Sequence, residues 1–144
     1  MMKLYIINGP NLNFLGIREP QHYGNTTYEG LLDMIRAHAE ELGVLVECYQ
    51  SNHEGDLVDK IQEAYYEGAD GIVINPGAYT HTSIALLDAL KATSLPAVEV
   101  HISAVESRED FRQVSYIRLA VKKTISGHGI DGYLEAIDFL KEDK

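Results

Sequence analysis

The chain has 144 residues, of which 45% are hydrophobic and 24% are charged, and this composition is typical of one soluble globular domain. Twelve basic residues stand against 22 acidic ones, and the net charge of −10 argues against a nucleic-acid or membrane partner. Cys48 is the only cysteine, which rules out an internal disulfide and is consistent with a reducing cytoplasm. We expect neither a membrane-spanning helix nor a signal peptide.

Strand and helix patterns alternate along the chain. The predicted strands are residues 3–7, 44–50, 71–75, 96–102 and 117–125. The predicted helices are residues 26–42, 51–68, 81–92 and 132–142, with a further short helix that begins at Ser107 as its cap. This alternation predicts an α/β fold, a doubly wound five-stranded parallel sheet of flavodoxin-like type, in one domain over residues 1–144.

Helix-boundary residues accompany the first two predicted helices. The pairs Thr26 with Glu29 and Ser51 with Glu54 have the spacing of capping boxes, in which two side chains satisfy free backbone N–H groups. Glycines at 43 and 68 have the positions of helix stops.

The strand order decides where a ligand binds. By analogy with flavodoxin-like sheets we expect the order 2-1-3-4-5, which makes the carboxyl ends of strands one, three and four neighbours. Those ends carry the segments "NGPN", "NPGAYTHT" and "EVHIS". Because ligands of open α/β sheets bind at this switch point, the three polar segments predict one shared crevice.

Glu99 and His101 are two residues apart on a strand, so they share one face of the sheet, while Val98 and Val100 point the other way. A carboxylate beside an imidazole fixes its tautomer and raises its basicity, which is how a general acid or base is built. A structural ion pair at a strand end is the alternative interpretation.

The segment "NPGAYTHT" follows the third strand with a sharp turn. We expect Asn75 and His81, which flank this turn, to bind a ligand, and Thr80 or Thr82 to cap the next helix. In "SREDFR", Arg108 and Arg112 are four residues apart and would share a face of the short helix. They supply local positive charge for a small anionic or hydroxylated ligand.

Residues 9–26 form a long loop without a regular pattern, which in a compact domain is typical of a lid or binding loop. Arg18 and Tyr23 lie in it, and a nearby arginine lowers the pKa of a phenol. A phosphate-binding glycine motif is absent, and the three convergent segments contain no lysine for Schiff-base chemistry. Zinc held by His81, Glu99 and His101 is a minor alternative.

Four segments closely resemble the type II 3-dehydroquinate dehydratases, and the resemblance extends to "SGHGIDGYLEAI". They are "INGPNLNFLGIREPQHYG", "YQSNHEGDLVDKI", "INPGAYTHTSIALLDAL" and "EVHISAVESREDFR". The resemblance implies a hydro-lyase that converts 3-dehydroquinate into 3-dehydroshikimate, in the shikimate pathway or in quinate breakdown, without a metal or organic cofactor. It also implies a homo-oligomer, a dodecamer built of trimers.

The resemblance implies catalytic roles for five residues. Tyr23 resembles the base that takes the proton beside the ketone, with Arg18 lowering its pKa. Asn11 resembles the residue that holds a water against the enolate oxygen. His101 is similar to the general acid, oriented by Glu99.

The resemblance also implies a set of substrate contacts. Asn75 and the backbone N–H groups of Ile102 and Ser103 resemble the carboxylate-binding set. His81 and Arg112 resemble contacts to the ring hydroxyls. Arg108 resembles a supporting arginine beside the lid, and Asp88 a residue that reaches a neighbouring subunit's site.

The chain departs from the family pattern at Ala104, Glu106 and Arg118, while Phe14 stands at a variable position. These departures concern one turn and the subunit packing and leave the catalytic residues in place. A non-catalytic flavodoxin-like module that binds a small acid is the main alternative function. A metal-dependent hydrolase is the other, and stoichiometric zinc in the purified protein would favour it.

Overall fold

The computed structural model describes residues 1–17 and 26–143. The strands are β1 (Lys3–Asn8), β2 (Leu45–Gln50), β3 (Gly71–Asn75), β4 (Ala97–His101) and β5 (Lys123–Ser126). The α-helices in the described ranges are α1 (Tyr28–Leu42), α2 (Glu54–Tyr66), α3 (Ile84–Thr93) and α4 (Asp131–Glu142). None of these helices is both long enough and apolar enough to span a bilayer.

All neighbouring strands pair in parallel, in the order β2-β1-β3-β4-β5, which confirms the predicted sheet. Strand β1 pairs with β2 through Ile6 and Cys48 and with β3 through Ile6 and Val73. The chain therefore leaves β1 toward one edge of the sheet and leaves β3 toward the other, so the carboxyl ends of β1 and β3 form the switch point.

Each face of the sheet is covered by two helices. Helices α1 and α4 pack on the face that carries Leu4, Ile6, Val73, Val98, Val100 and Ile125. Helices α2 and α3 pack on the face that carries Tyr5, Ile7, Ile72, Ile74 and Ala97. The strands read as nearly continuous apolar runs in the sequence because both of their faces are buried.

Several predicted elements are shorter in the structure. The predicted strand 117–125 is wrong over its first half, because Ile117–Ala120 forms a 3-10 turn and β5 begins only at Lys123. The predicted helix 81–92 is preceded by a separate 3-10 turn, Gly77–His81. The helix predicted from Ser107 is also wrong, since that region forms two short 3-10 turns, Val105–Ser107 and Asp110–Gln113.

The predicted capping boxes are wrong at their first residues. Thr27, and not Thr26, caps α1, because its Oγ1 accepts a hydrogen bond from the backbone N–H of Gly30 at 3.1 Å. His53 occupies the cap position of α2, while Ser51 donates to Asp56 Oδ2 at 2.9 Å. Local patterns specify that a helix begins nearby but leave the exact residue open.

The cap expected at Thr80 or Thr82 belongs to Ser83. Its Oγ accepts a hydrogen bond from the backbone N–H of Leu86 at 2.9 Å at the start of α3. The glycine stops are correct, since Gly43 directly after α1 and Gly68 two residues after the end of α2 have left-handed φ angles of 70° and 71°.

At the switch point the ends of β1 and β3 lie in direct backbone contact. Gly9 donates its N–H to the carbonyl oxygen of Asn75 at 2.8 Å. A Cβ atom at position 9 would stand 2.5 Å from the carbonyl oxygen of Pro76. Only glycine lets these two backbone segments approach this closely. That approach places the residues after β1 and the residues after β3 side by side.

We predict that Gly9→Ala lowers the free energy of unfolding by about 3 kcal/mol or more, because backbone must move to relieve the clash. Equilibrium denaturation with urea measures this change. Gly55→Ala is the matched control, since a Cβ at that helical position meets nothing within 4 Å. The control is expected to differ from the parent by less than about 1 kcal/mol, and an equal loss in both variants would contradict the prediction.

Candidate active site

A cavity of about 130 Å³ opens at the carboxyl edge of the sheet, at the predicted switch point. The segments after β1, β3 and β4 converge on it, as the strand order predicts. Its described lining consists of Pro10, Asn11, Leu12, Asn75, Gly77, Ala78, His81, His101, Ile102, Ser103, Val105, Arg108 and Arg112. Its positive charge comes from the two arginines, in a chain whose net charge is −10.

Glu99 and His101 form a buried pair at the end of β4, as their spacing predicts. The Nε2 atom of His101 lies 2.5 Å from Oε2 of Glu99. An ionised carboxylate only accepts hydrogen bonds, so Nε2 carries the proton of this contact. Nδ1 is then the nitrogen that the ring presents to the cavity, and a protonated ring can donate from there.

Three hydroxyl groups surround the carboxylate of Glu99, whose side chain is completely buried. Thr80 donates to Oε2 at 2.5 Å, Ser115 lies 3.4 Å from the same oxygen, and Thr124 donates to Oε1 at 3.2 Å. Burial alone would raise the pKa of Glu99, but the hydrogen bonds from His101, Thr80 and Thr124 outweigh it and hold the pKa below its ordinary value. The carboxylate therefore stays ionised and stabilises a positive charge on His101.

His81 is fixed in one tautomer by a backbone carbonyl. Its Nδ1 lies 2.7 Å from the carbonyl oxygen of Val114, and a carbonyl oxygen only accepts, so Nδ1 carries the hydrogen. Partial burial, with repulsion from His101 and Arg112, lowers the pKa of His81 despite that hydrogen bond. The neutral ring leaves Nε2 as an acceptor, which suits a hydroxyl group of a ligand.

Asn75 is 3% exposed and has its amide held at both ends. Its Oδ1 accepts from the backbone N–H of Gly77 at 3.1 Å, and its Nδ2 donates to the hydroxyl of Tyr133 at 2.8 Å. One hydrogen on Nδ2 is left for a ligand. Ile102 and Ser103 also line the cavity, directly after β4.

Asn11 lies at the cavity mouth in a left-handed conformation, with φ 69°. Asparagine is among the few non-glycine residues that tolerate this region. The backbone N–H of Asn11 donates to Oδ1 of Asn52 at 3.0 Å, and Gln50 donates to the same oxygen at 3.2 Å. The segment after β2 thereby holds the segment after β1 in place.

Arg108 and Arg112 both line the cavity, although no α-helix joins them. Arg108 Nη1 lies 3.5 Å from the hydroxyl of Ser103, and Arg112 Nε donates to Glu109 Oε2 at 3.0 Å. The predicted convergence is therefore right and its predicted cause wrong, because 3-10 turns and not helical spacing bring the two side chains together.

The remaining predicted site residues lie elsewhere. Arg18 and Tyr23 fall in residues 18–25, outside the part of the chain that the structure describes. Asp88 is exposed on α3 and does not belong to the described lining of this cavity. Across residues 1–17 and 26–143, no three histidine, cysteine, aspartate or glutamate side chains gather as metal ligands.

Sequence reasoning missed the buried residues that hydrogen-bond to the site residues without lining the cavity. Thr80, Ser115 and Thr124 come from three different segments, and they meet only at the carboxylate of Glu99. Asn8 and Tyr133 are likewise distant in the sequence yet hydrogen-bonded at 2.7 Å. Asn8 carried a usable signal, since it is a polar residue that directly follows an apolar run, and the structure shows it fully buried.

The fold and the site define a doubly wound α/β protein with an acid–base crevice at its switch point. A family model described as dehydroquinase class II matches residues 2–141. The chain belongs to this class II dehydroquinase family.

Named relatives are similar to the chain over nearly its whole length. It is 54% identical to the 3-dehydroquinate dehydratase of Caldicellulosiruptor bescii, over 99% of this chain and 98% of that protein. It is also 54% identical to the 3-dehydroquinate dehydratase of Lachnospira eligens, over 95% and 94% of the two chains. The crystal structure of type II dehydroquinase from Butyrivibrio crossotus superimposes with a TM-score of 0.96 at 56% identity, covering 97% of each chain.

We predict that Thr80→Val reduces stability through the charge of Glu99. The folded-state pKa of Glu99 is lowered, so its stabilising contribution is present above the unfolded pKa of 4.5 and is lost as the pH falls through the folded value. Removing the Thr80 donor raises that folded pKa. The free energy of unfolding at pH 7 should therefore fall by about 1–3 kcal/mol, and the gap to the parent should narrow in acid.

Denaturant unfolding at pH 7 and at a series of lower pH values, down to the lowest at which the parent remains folded, measures both effects. Thr82→Val, at an exposed neighbouring position, is the control and should show a small difference that does not vary with pH. A gap for Thr80→Val that stays constant over the whole pH series would mean that Thr80 does not stabilise the ionised carboxylate.

Proposed function

We propose that this chain catalyses the dehydration of 3-dehydroquinate to 3-dehydroshikimate. One observation carries the proposal: the Glu99–His101 pair opens into a cavity that also holds Asn75, His81 and two arginines. The pair supplies acid–base chemistry and the other groups suit a hydroxylated cyclic acid. The relatives named above are called 3-dehydroquinate dehydratases, which agrees with this reading of the site.

The reaction begins with removal of a proton from the carbon beside the ketone, which leaves an enolate. Tyr23 is our candidate for the base, and Arg18 is the cation that lowers the pKa of its phenol. An unperturbed tyrosine, with a pKa of about 10, is roughly 0.1% ionised at pH 7. A cation close to the phenol raises this fraction, which is why we pair the two residues.

The enolate oxygen needs a partner, and the departing hydroxyl needs a proton. We assign Asn11, at the cavity mouth, to hold a water molecule against the enolate oxygen. His101 gives its proton to the hydroxyl, which leaves as water while the carbon–carbon double bond forms. Glu99 stabilises the imidazolium before that transfer, and the proton on Tyr23 then returns to His101 through solvent, so the cycle closes without an oxidant or reductant.

The remaining cavity residues bind the substrate. Asn75, with the backbone N–H groups of Ile102 and Ser103, is assigned to the carboxylate of the substrate. His81 is assigned to a ring hydroxyl, because its neutral Nε2 accepts a hydrogen bond, and Arg112 to a second hydroxyl. Arg108, 3.5 Å from the hydroxyl of Ser103, supports this end of the cavity.

Residues 9–26 are proposed as a lid over this site, within a single catalytic domain of residues 1–144. The described part of the lid supports this, since Pro10, Asn11 and Leu12 line the cavity. Closing the lid would expel water and strengthen each polar interaction inside.

We further propose that the chain forms a homo-oligomer, a dodecamer of trimers, and acts in the cytoplasm in the shikimate pathway. Asp88 supports the assembly, because it is exposed on α3 and is available to a neighbouring subunit's site. Exposed apolar side chains near α3 and near the 3-10 turns also favour contact between subunits; they include Ile84, Phe111, Val114 and Leu119.

Turnover distinguishes this proposal from a binding module that merely holds a small acid. We expect the purified protein, mixed with 3-dehydroquinate, to produce a rise in ultraviolet absorbance from the conjugated enone. The rise should survive a metal chelator and treatment with borohydride, because neither a metal nor a Schiff base takes part. Binding of 3-dehydroquinate without any rise would favour the binding module, and loss of activity with the chelator would favour the metal-dependent alternative.

We predict that Tyr23→Phe lowers kcat by about 10²–10⁴-fold, since the aromatic ring stays and only the base is lost. Substrate affinity should change little. Steady-state kinetics and calorimetric binding measure the two quantities. Tyr66→Phe, at a position 82% exposed on α2, is the control and should retain full activity; near-normal turnover by Tyr23→Phe would remove Tyr23 from the role of base.

A further inference from the structure

A buried chain of hydrogen bonds runs from the candidate carboxylate-binding group into the core. Asn75 Nδ2 donates to the hydroxyl of Tyr133 at 2.8 Å, and that hydroxyl donates to Asn8 Oδ1 at 2.7 Å. Asn8 Nδ2 in turn lies 3.4 Å from the hydroxyl of Tyr28. Tyr133 projects from α4 and is completely buried beneath the cavity rather than lining it.

One backbone N–H group determines which atom donates and which accepts in each of these hydrogen bonds. The N–H of Gly77 points at Asn75 Oδ1, 3.1 Å away, and a backbone N–H only donates. The oxygen end of the amide is therefore assigned, and Nδ2 must face Tyr133. Tyr133 then accepts from Asn75, so its single proton goes to Asn8 Oδ1.

If the Asn75 amide were flipped, both of its polar atoms would face groups with which they cannot form a hydrogen bond. Its NH₂ group would face the N–H of Gly77, and its oxygen would face a hydroxyl oxygen whose proton already belongs to Asn8. With the amide in its one allowed orientation, the second hydrogen of Nδ2 is the group that Asn75 offers to the cavity. Without the Tyr133 hydroxyl, only the contact to Gly77 would orient this amide.

We propose that Tyr133 is a positioning residue for the reaction, one that orients the Asn75 amide so that it donates to the carboxylate of the substrate. The inference rests on the proposed function for the identity of that substrate. It adds a residue that never touches the substrate and acts only through Asn75.

Burial keeps the hydroxyl of Tyr133 protonated. The desolvation of the phenol raises the pKa of Tyr133 well above the ordinary value of a tyrosine, although the hydrogen bond from Asn75 lowers it in part. The hydroxyl therefore stays protonated at neutral pH and remains a donor to Asn8.

The test replaces Tyr133 by phenylalanine in the full-length protein and compares kinetics and binding. We expect KM for 3-dehydroquinate to rise about tenfold, the effect of a lost hydrogen bond to a charged group, while kcat changes by less than about twofold. A contact made equally in the ground state and the transition state appears in KM alone. The Kd for 3-dehydroshikimate, measured by calorimetry, should rise by a similar factor.

A double-mutant cycle with Asn75→Ala tests whether Tyr133 acts through Asn75. In the Asn75→Ala background, Tyr133→Phe should leave KM and Kd unchanged, because the group to be oriented is gone. The same fold-change in both backgrounds would overturn the proposal, and so would an unchanged KM and Kd in the single variant.

Tyr5→Phe is the matched control for general damage to the core. Tyr5 is also completely buried, and its hydroxyl donates to Glu63 at 3.0 Å, away from the cavity. We expect this variant to lower the Tm without changing KM. An equal rise in KM for Tyr5→Phe and Tyr133→Phe would show a structural effect alone and would overturn the proposal.

Asn8→Ala provides a second route if Tyr133→Phe fails to fold. It removes the acceptor of the Tyr133 proton and so frees that hydroxyl to turn toward Asn75, and we expect KM to rise about threefold or more. An unchanged KM would overturn the proposal. If the parent protein shows no turnover, the proposed function fails, and the Kd comparison still decides the role of Tyr133.

Discussion

The buried carboxylate of Glu99 is the group on which the candidate site depends. A charge with no exposed surface is tolerated only where donors surround it, and here His101, Thr80, Ser115 and Thr124 do so. These donors keep the carboxylate ionised, and the ionised carboxylate in turn holds His101 in one tautomer. The ring nitrogen that faces the cavity is thus decided by hydroxyl groups that never reach the cavity.

His101 and Asn75 are each oriented by a hydrogen bond to a buried side chain, and the two buried side chains lie on opposite faces of the sheet. Glu99 and its hydroxyl donors lie on the face covered by α2 and α3, while Tyr133 comes from α4 on the other face. Asn75, His81 and His101 each reach the cavity with a polar atom hydrogen-bonded inside the protein. These three side chains are therefore oriented before any ligand arrives, and such preorganisation is what electrostatic stabilisation in a site depends on.

Strand patterns were the most informative part of the sequence. Nearly continuous apolar runs predicted β1 and β3 within a residue, and the two-residue spacing of Glu99 and His101 predicted their shared face. Helix starts were predicted less well, because several hydroxyl residues stand near each start and only packing selects one of them. The strand predicted from residue 117 was wrong because its first half turns into a 3-10 segment that packs against α3.

The sequence by itself determined the order of strands and helices, the polar segments at the carboxyl ends of β1, β3 and β4, and the family resemblance. These features depend on local periodicity and on residues that are close together in the chain. Only the tertiary structure decided which hydroxyl groups surround Glu99 and which phenol holds Asn75. Such contacts join residues from 16 to 58 positions apart, and no local pattern specifies which side chains will meet across a folded core.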